Sequence, residues 1–305
     1  MKLVFAGTPD VAVPSLQRLL ASGHETVAVL TREDAPLGRK RVLTPSPVAR
    51  AADDAGVPVI KANRLTDDVT ATISGLDADL GVIVAYGGLL REPLLSAPKH
   101  GWINLHFSLL PAWRGAAPVQ HALLAGDTVT GASVFQLVRE LDAGALFGVL
   151  ERPIDADATA GTLLAELAES GAGFLSGIVD DIGNGSARAT PQVGQATLAP
   201  KLRIEDGRLD WTAPAETVYN RFRGVTPEPG AHTTIGGTRF KILHARPAPG
   251  GTLPAGTVDR IDGRILIGTG TSALELLRVQ PAGKPAMAAS DWWRGLSHDQ
   301  PIRAE

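Results

Sequence analysis

Leu80-Gly81-Val82-Ile83-Val84-Ala85, followed at once by Tyr86-Gly87-Gly88, reads as a strand apolar on both faces that stops at a glycine turn. A strand without a polar face must be covered on both sides, which is the situation inside a parallel sheet flanked by helices. The flanking sequence repeats the pattern. Upstream, apolar runs at 3–6, 27–30 and 57–60 alternate with helical periodicities at 13–21, 48–55 and 66–75, each closed by glycine, proline or serine. Such βαβ units place ligands beyond the carboxyl ends of the strands. Two strand ends carry polar or glycine-rich candidates: Tyr86-Gly87-Gly88, and Asn104-Leu105-His106 after Trp102-Ile103.

Further along, 132–138 and 144–150 read as a hairpin-type pair around Asp142, and 159–183 as a long helix ending at Gly183-Asn184-Gly185. After a short helix near 214–224 the pattern changes to short strands at 231–235, 238–245, 256–261, 264–268 and 273–279, separated by glycine and proline. Evenly spaced short strands suggest a small β-barrel. The expected fold is therefore α/β: a Rossmann-like parallel-sheet domain over 1–189, a linker at 190–205 containing Pro191 and Pro200, and an OB-like barrel over 206–305.

Composition narrows the function classes. At 305 residues the chain is long enough for two cores. With 44% hydrophobic and 20% charged residues it has a globular composition, and no apolar run reaches the about 18 residues that a membrane span needs. The chain has no cysteine, so disulfides, thiolate nucleophiles and zinc–thiolate sites are excluded; cytoplasmic residence is the expectation. Residues 1–200 carry 15 basic against 21 acidic side chains, whereas 201–305 carry 14 against 11. A relatively basic C-terminal third suits a polyanionic partner.

Asn104, His106 and Asp142 supply an amide, an imidazole and a carboxylate, which together can bind, polarise and deprotonate around one carbonyl. Taken singly, each has another reading: His106 as a satisfied structural histidine, Asn104 as a turn cap, Asp142 as an ordinary turn aspartate. Ser108 stands in no Gly-x-Ser-x-Gly elbow, so a serine hydrolase is disfavoured. Gly7-Thr8-Pro9-Asp10 is no Gly-x-Gly-x-x-Gly, so the dinucleotide fingerprint is absent. No spacing of metal ligands surrounds His106.

The joint pattern resembles a family. Asn104, His106, Ser108-Leu109-Leu110-Pro111, Trp113-Arg114-Gly115 and Leu141-Asp142-Ala143-Gly144 together resemble the signature of the folate-dependent formyltransferases. Phe5-Ala6-Gly7-Thr8-Pro9-Asp10, Thr44-Pro45-Ser46-Pro47-Val48, Val84-Ala85-Tyr86-Gly87, Ala116-Ala117-Pro118 and Gln280-Pro281-Ala282-Gly283-Lys284 are similar to the branch acting on methionyl-initiator tRNA, so the likeness runs through both expected domains.

The resemblance implies a cytoplasmic, monomeric enzyme that takes a formyl group from 10-formyltetrahydrofolate and requires no metal. It implies that Asn104 and His106 serve the developing oxyanion while Asp142 orients His106 and helps take the ammonium proton. It further implies that the backbone of Val84, Ala85, Tyr86, Gly87, Gly88 and Leu89 holds the pterin together with Ser108, Leu109, Leu110 and Pro111. The cations Arg39, Lys40 and Arg41 of loop 31–44 would meet the tRNA, and Arg221 and Arg223 would follow its backbone. Without the family context, those cations read as a solvated basic turn and as surface charges.

Two departures bear on the fine geometry: Phe107 stands where many members have glycine, and Arg139-Glu140 precedes Leu141 where a glycine often stands. The rival readings are a formyltransferase acting on an amino-sugar nucleotide or on glycinamide ribonucleotide, a folate-dependent hydrolase, and an RNA-binding protein with an inactive enzyme domain.

Overall fold

The computed structural model describes residues 1–38, 40–297 and 301–305. The chain divides into two compact units. One comprises Met1–Pro118, Val129–Pro153 and Leu164–Ala199; the other comprises Val119–Thr128, Ile154–Leu163 and Pro200–Glu305.

The elements of the first unit begin with β1 (Lys2–Gly7), α1 (Val13–Leu20) and β2 (Glu25–Thr31). A small hairpin, β3 (Ala35–Leu37) and β4 (Val42–Thr44), precedes α2 (Pro47–Asp54), β5 (Val59–Lys61), α3 (Asp67–Ser74), β6 (Leu80–Val84) and β7 (Trp102–His106). After β8 (Arg114–Gly115), and after α4 (Pro118–Ala125), which from Val119 on belongs to the second unit, come the long antiparallel strands β9 (Val129–Gln136) and β10 (Leu146–Pro153). The main sheet runs β10-β9-β7-β6-β1-β2-β5. Its β7-β6-β1-β2-β5 portion is parallel, as the two-faced apolar runs require, and β9 joins β7 antiparallel. Every residue of β6 is buried.

Helix starts follow local chemistry. Ser46 accepts a hydrogen bond from the Ala49 N–H to cap α2, with Pro47 in its first turn, and Thr66 caps α3 through Val69. The helix α4 escapes the periodicity reading because Pro118-Val119-Gln120-His121-Ala122-Leu123-Leu124-Ala125 has no clean polar stripe. The long helix α5 (Ala160–Asn184) is long and apolar enough to cross a membrane by length and composition. Half of its most apolar window is buried in the protein, as in a core helix.

Register aligns the carboxyl ends of three neighbouring strands. Gly7 pairs with Val84, and Ile83 pairs with Asn104. Thus Gly7-Thr8, Val84–Tyr86 and Asn104–His106 lie on one edge of the sheet, and the Thr8 hydroxyl donates to the Tyr86 carbonyl at 2.9 Å.

Residues 190–205 contain β11 (Leu198–Ala199), which pairs with β8 in parallel, and run into a 3-10 turn at Ile204–Gly207. In the second unit α6 (Ala215–Gly224) precedes β12 (His232–Ile235), β13 (Thr238–Ala248), β14 (Thr257–Ile261), β15 (Arg264–Gly268) and β16 (Ala273–Pro281). Then follow β17 (Met287–Ala288), α7 (Ala289–Arg294) and β18 (Ile302–Arg303). The order β12-β13-β16-β15-β14-β18 closes on itself, because Ala304 bridges Ile235 and Glu305 exchanges two backbone hydrogen bonds with Thr234. The barrel interior packs Phe240, Ile242, Val258, Ile265, Ile267 and Leu276, with Val218 and Phe222 of α6 in the same cluster.

Candidate active site

Asn104 and His106 are two residues apart on β7 and share one face of the strand. His106 is buried. Its Nε2 lies 2.8 Å from the Trp113 carbonyl oxygen; a carbonyl can only accept, so Nε2 carries the proton. The other ring nitrogen, Nδ1, lies 3.9 Å from Asp142 Oδ2, beyond hydrogen-bonding distance but close enough for the charges to interact. Burial pushes His106 below the ordinary histidine value, while the Asp142 carboxylate and the Trp113 carbonyl oppose that shift. A neutral imidazole at neutral pH, with Nδ1 as its free acceptor, is the outcome.

Asp142 is itself buried and adopts φ 44°, on the connection between β9 and β10. Its Oδ2 accepts the Gly115 N–H at 2.8 Å. Trp113 also has a left-handed backbone, φ 62°, which a bulky residue adopts only when its surroundings fix it. Here the Trp113 N–H is held by Thr197 Oγ1 at 2.9 Å while its carbonyl holds His106. Asn104 is half-buried, and its Oδ1 is one of the few buried polar atoms among the described residues that lack a protein partner. Hydrogen-bonding capacity left in reserve at a strand end marks a place for a ligand.

The turn after β7 is pinned by a residue that the sequence reading overlooked. Ser133 on β9 pairs with His106 in register; its hydroxyl donates to the Ser108 carbonyl at 2.7 Å and accepts the Leu110 N–H at 3.1 Å. Ser108 turns its own hydroxyl to the Ala112 carbonyl at 2.6 Å. A serine set between Ala132 and Val134-Phe135 in an apolar run was the available signal. Leu110 is buried and Leu109 half-buried, so of the two leucines Leu109 and not Leu110 can form an exposed wall, beside a half-buried Pro111. Phe107, unassigned by sequence, is a buried core side chain.

At the end of β6, Val84 is buried, while Ala85 (φ 49°), Gly87 (φ 78°) and Leu89 expose an irregular backbone edge beside a half-buried Gly88. The Tyr86 side chain points into the core, where its hydroxyl donates to the Ala62 carbonyl at 2.9 Å.

The basic loop folds as the β3–β4 hairpin. Lys40 and Arg41 are exposed at its tip, with Arg41 at φ 50°; Arg39 lies outside the described residues. In the second unit Arg221 is half-buried, donates to the Asp206 carbonyl and lines a cleft of about 440 Å³ with Arg208, Asp210 and Trp211. Arg223 corrects the sequence expectation. It is buried, its guanidinium donates to Asn220 Oδ1 and the carbonyls of Asp155 and Ala158, and it lies over the Tyr219 ring. Two positions apart on a helix are about 200° around the axis, so Arg221 and Arg223 cannot both face outward.

Comparison with known proteins identifies the family and the fold. Residues 1–179 match the formyl transferase family model, and residues 201–297 match the formyl transferase C-terminal domain model. The chain is 62% identical over 295 residues to a methionyl-tRNA formyltransferase of Leifsonia xyli subsp. xyli, covering 97% of both chains. It is 59% identical over 298 residues to the methionyl-tRNA formyltransferase of Clavibacter sepedonicus, covering 97% of this chain and 98% of the relative. Among solved structures, an N-formyltransferase of Helicobacter canadensis in complex with folinic acid and dTDP-3-aminofucose superimposes with a TM-score of 0.70. At 17% identity, covering 92% of this chain and 99% of that one, it shares the fold.

Proposed function

The chain belongs to the methionyl-tRNA formyltransferase family, and on that premise we propose how it transfers the formyl group of 10-formyltetrahydrofolate to the α-amino group of methionyl-initiator tRNA. The observation that carries the reading is the buried His106–Asp142 pair, with His106 on the same strand as Asn104, whose Oδ1 has no protein partner. The folate, when bound, supplies an activated formyl group. The exposed edge at Ala85, Gly87 and Leu89 offers backbone donors and acceptors of the kind a pterin edge pairs with, and the half-buried Leu109 and Pro111 form the opposite wall.

The catalytic roles fall to three side chains. Asn104 donates its amide to the formyl oxygen as that oxygen gains negative charge, a preorganised contact worth about 10²–10³ in rate. His106 enters neutral, so Nδ1 can take the proton that the attacking amine must lose, and the nearby Asp142 carboxylate stabilises the resulting imidazolium. The resemblance alone assigned His106 to the oxyanion. Since Nε2–H is already given to Trp113, His106 can serve that oxygen only through Nδ1–H, after it has taken the proton. Returning that proton to the departing nitrogen leaves one N–H lost at methionine, one gained at the donor, and His106 as it began. No step assigned to these residues uses a metal ion.

For the tRNA, the exposed cations Lys40 and Arg41 on the β3–β4 hairpin, with Arg39 between Gly38 and Lys40 in sequence, suit the phosphates of an acceptor end. Arg221 with its neighbour Arg208 offers a second cationic patch. In this reading 1–189 is the catalytic domain, 190–205 the connection, and 206–305 the tRNA-binding barrel of a cytoplasmic, monomeric enzyme. The test is a formylation assay with 10-formyltetrahydrofolate and charged initiator and elongator tRNAs side by side. Formylation of methionyl-initiator tRNA is expected, and equal activity on free methionine would overturn the assignment.

A further inference from the structure

We infer that residues 190–199 form an active-site strap, and that within it Gln192 is a positioning residue whose side-chain amide fixes the Asp142 turn against Arg114. The inference rests on the functional reading above and extends it to a segment that sequence presents as a plain linker.

Gln192 uses both ends of its amide. Nε2 donates to the Asp142 carbonyl at 2.8 Å and to the Gly144 carbonyl at 2.9 Å, and Oε1 accepts from Arg114 Nη2 at 2.6 Å. Its neighbours Val193, Gly194 and Gln195 are exposed while Gln192 is half-buried, so this one side chain turns inward. Around it the strap makes further bonds. Thr190 and Leu146 exchange two backbone hydrogen bonds, and Thr197 accepts the Trp113 N–H on its hydroxyl and the Arg114 N–H on its carbonyl. Leu198–Ala199 pair with Arg114–Gly115.

These bonds reach the two backbone groups that define the site. The Trp113 carbonyl holds His106 Nε2, and the Gly115 N–H holds Asp142 Oδ2. Trp113 and Asp142 both have positive φ, and each is tied by a side chain of the strap: Trp113 by Thr197, Asp142 by Gln192. The charge that bears on His106 is the Asp142 carboxylate. A strap that lets the Asp142 turn drift therefore weakens the larger of the two influences that help His106 hold a proton.

The test uses the full-length protein with Gln192→Met, which keeps the side-chain length and removes all three bonds. Gln192→Glu, alongside it, keeps an acceptor for Arg114 and removes both donors. Val193→Ala is the exposed control. His106 is titrated by NMR without substrate, kcat and KM are measured across pH, and Tm is recorded for each variant. Both Gln192 variants should lower kcat by about ten- to a hundredfold, the scale of a displacement up to 1 Å, with KM for both substrates near wild type. In Gln192→Met the His106 titration and the acid limb of kcat should move together to lower pH. Val193→Ala should match wild type.

An unmoved His106 titration in a folded Gln192→Met protein overturns the inference. So does a loss of kcat that merely follows the loss of folded protein. Because the NMR titration involves no substrate, a wild-type protein that titrates as expected yet fails to formylate methionyl-tRNA overturns the functional reading and leaves the strap standing.

Discussion

The His106–Asp142 site and the β3–β4 hairpin, the two regions of one unit to which we assign function, are built by opposite means. In the first, His106 Nε2 and Asp142 Oδ2 are each held by a backbone group, two non-glycine residues are held at positive φ, and the His106 and Asp142 side chains are buried. In the second, Leu37, Val42 and Leu43 are more than half exposed, and Lys40 and Arg41 stand in solvent. The difference suits the role proposed for each. Moving a proton requires a dry, fixed arrangement in which a carboxylate at 3.9 Å still matters. Meeting a polyanion requires charges that remain hydrated until counterions are released, and there precision is secondary.

Mutations can break that contrast. His106→Ala should lower kcat by about 10²–10⁴ with little change in KM for tRNA, as measured by steady-state kinetics; a loss confined to KM would place His106 among the binding groups. Asn104→Ala should lower kcat by about 10²–10³. It should leave Tm within about 1 °C, since the wild-type amide already has an unpartnered oxygen and its loss removes little native hydrogen bonding. The double variant Lys40→Ala/Arg41→Ala should instead raise KM for tRNA about tenfold at low salt and flatten its dependence on log[salt] by about 1.4 to 1.8, with folate binding unchanged in fluorescence titration. Weakened folate binding would show that the hairpin belongs to the buried site after all.

A smaller effect is electrostatic. Because burial sets the folded His106 below its unfolded value of 6.5, the unfolded chain binds that proton first. Stability contributed this way is complete above about pH 6.5 and is lost as pH falls from there through the folded value. In His106→Ala the decline of Tm with falling pH should be shallower across that window. An identical decline in both proteins would mean that the histidine is not depressed.

What could be read in the sequence follows the same division. Parallel strands announced themselves because both faces are apolar, Asn104 and His106 because they interrupt that pattern at a strand end, and Asp142 through the family resemblance. The hairpin was legible as a run of cations. The supports of the site were not: Gln192 lies 78 residues from Arg114 and 50 from Asp142, and hydrogen bonds across such separations leave no periodicity. Arg223 misled for a related reason. In sequence it matches Arg221, and only the packing of α6 against the carbonyls of Asp155 and Ala158 decides which of the two is buried.

The glycines beside the site carry a consequence for anyone scanning substitutions through this chain. A Cβ at Gly144 would lie 1.7 Å from the Gln136 carbonyl oxygen, and one at Gly115 would lie 2.7 Å from that of Ala199, where backbone cannot yield as a side-chain tip can. In a deep mutational library both positions should score as intolerant as His106, so a map of inactive variants would draw the catalytic centre larger than the chemistry makes it. Only a stability measurement run beside the activity screen would separate residues that do the reaction from residues that leave it room.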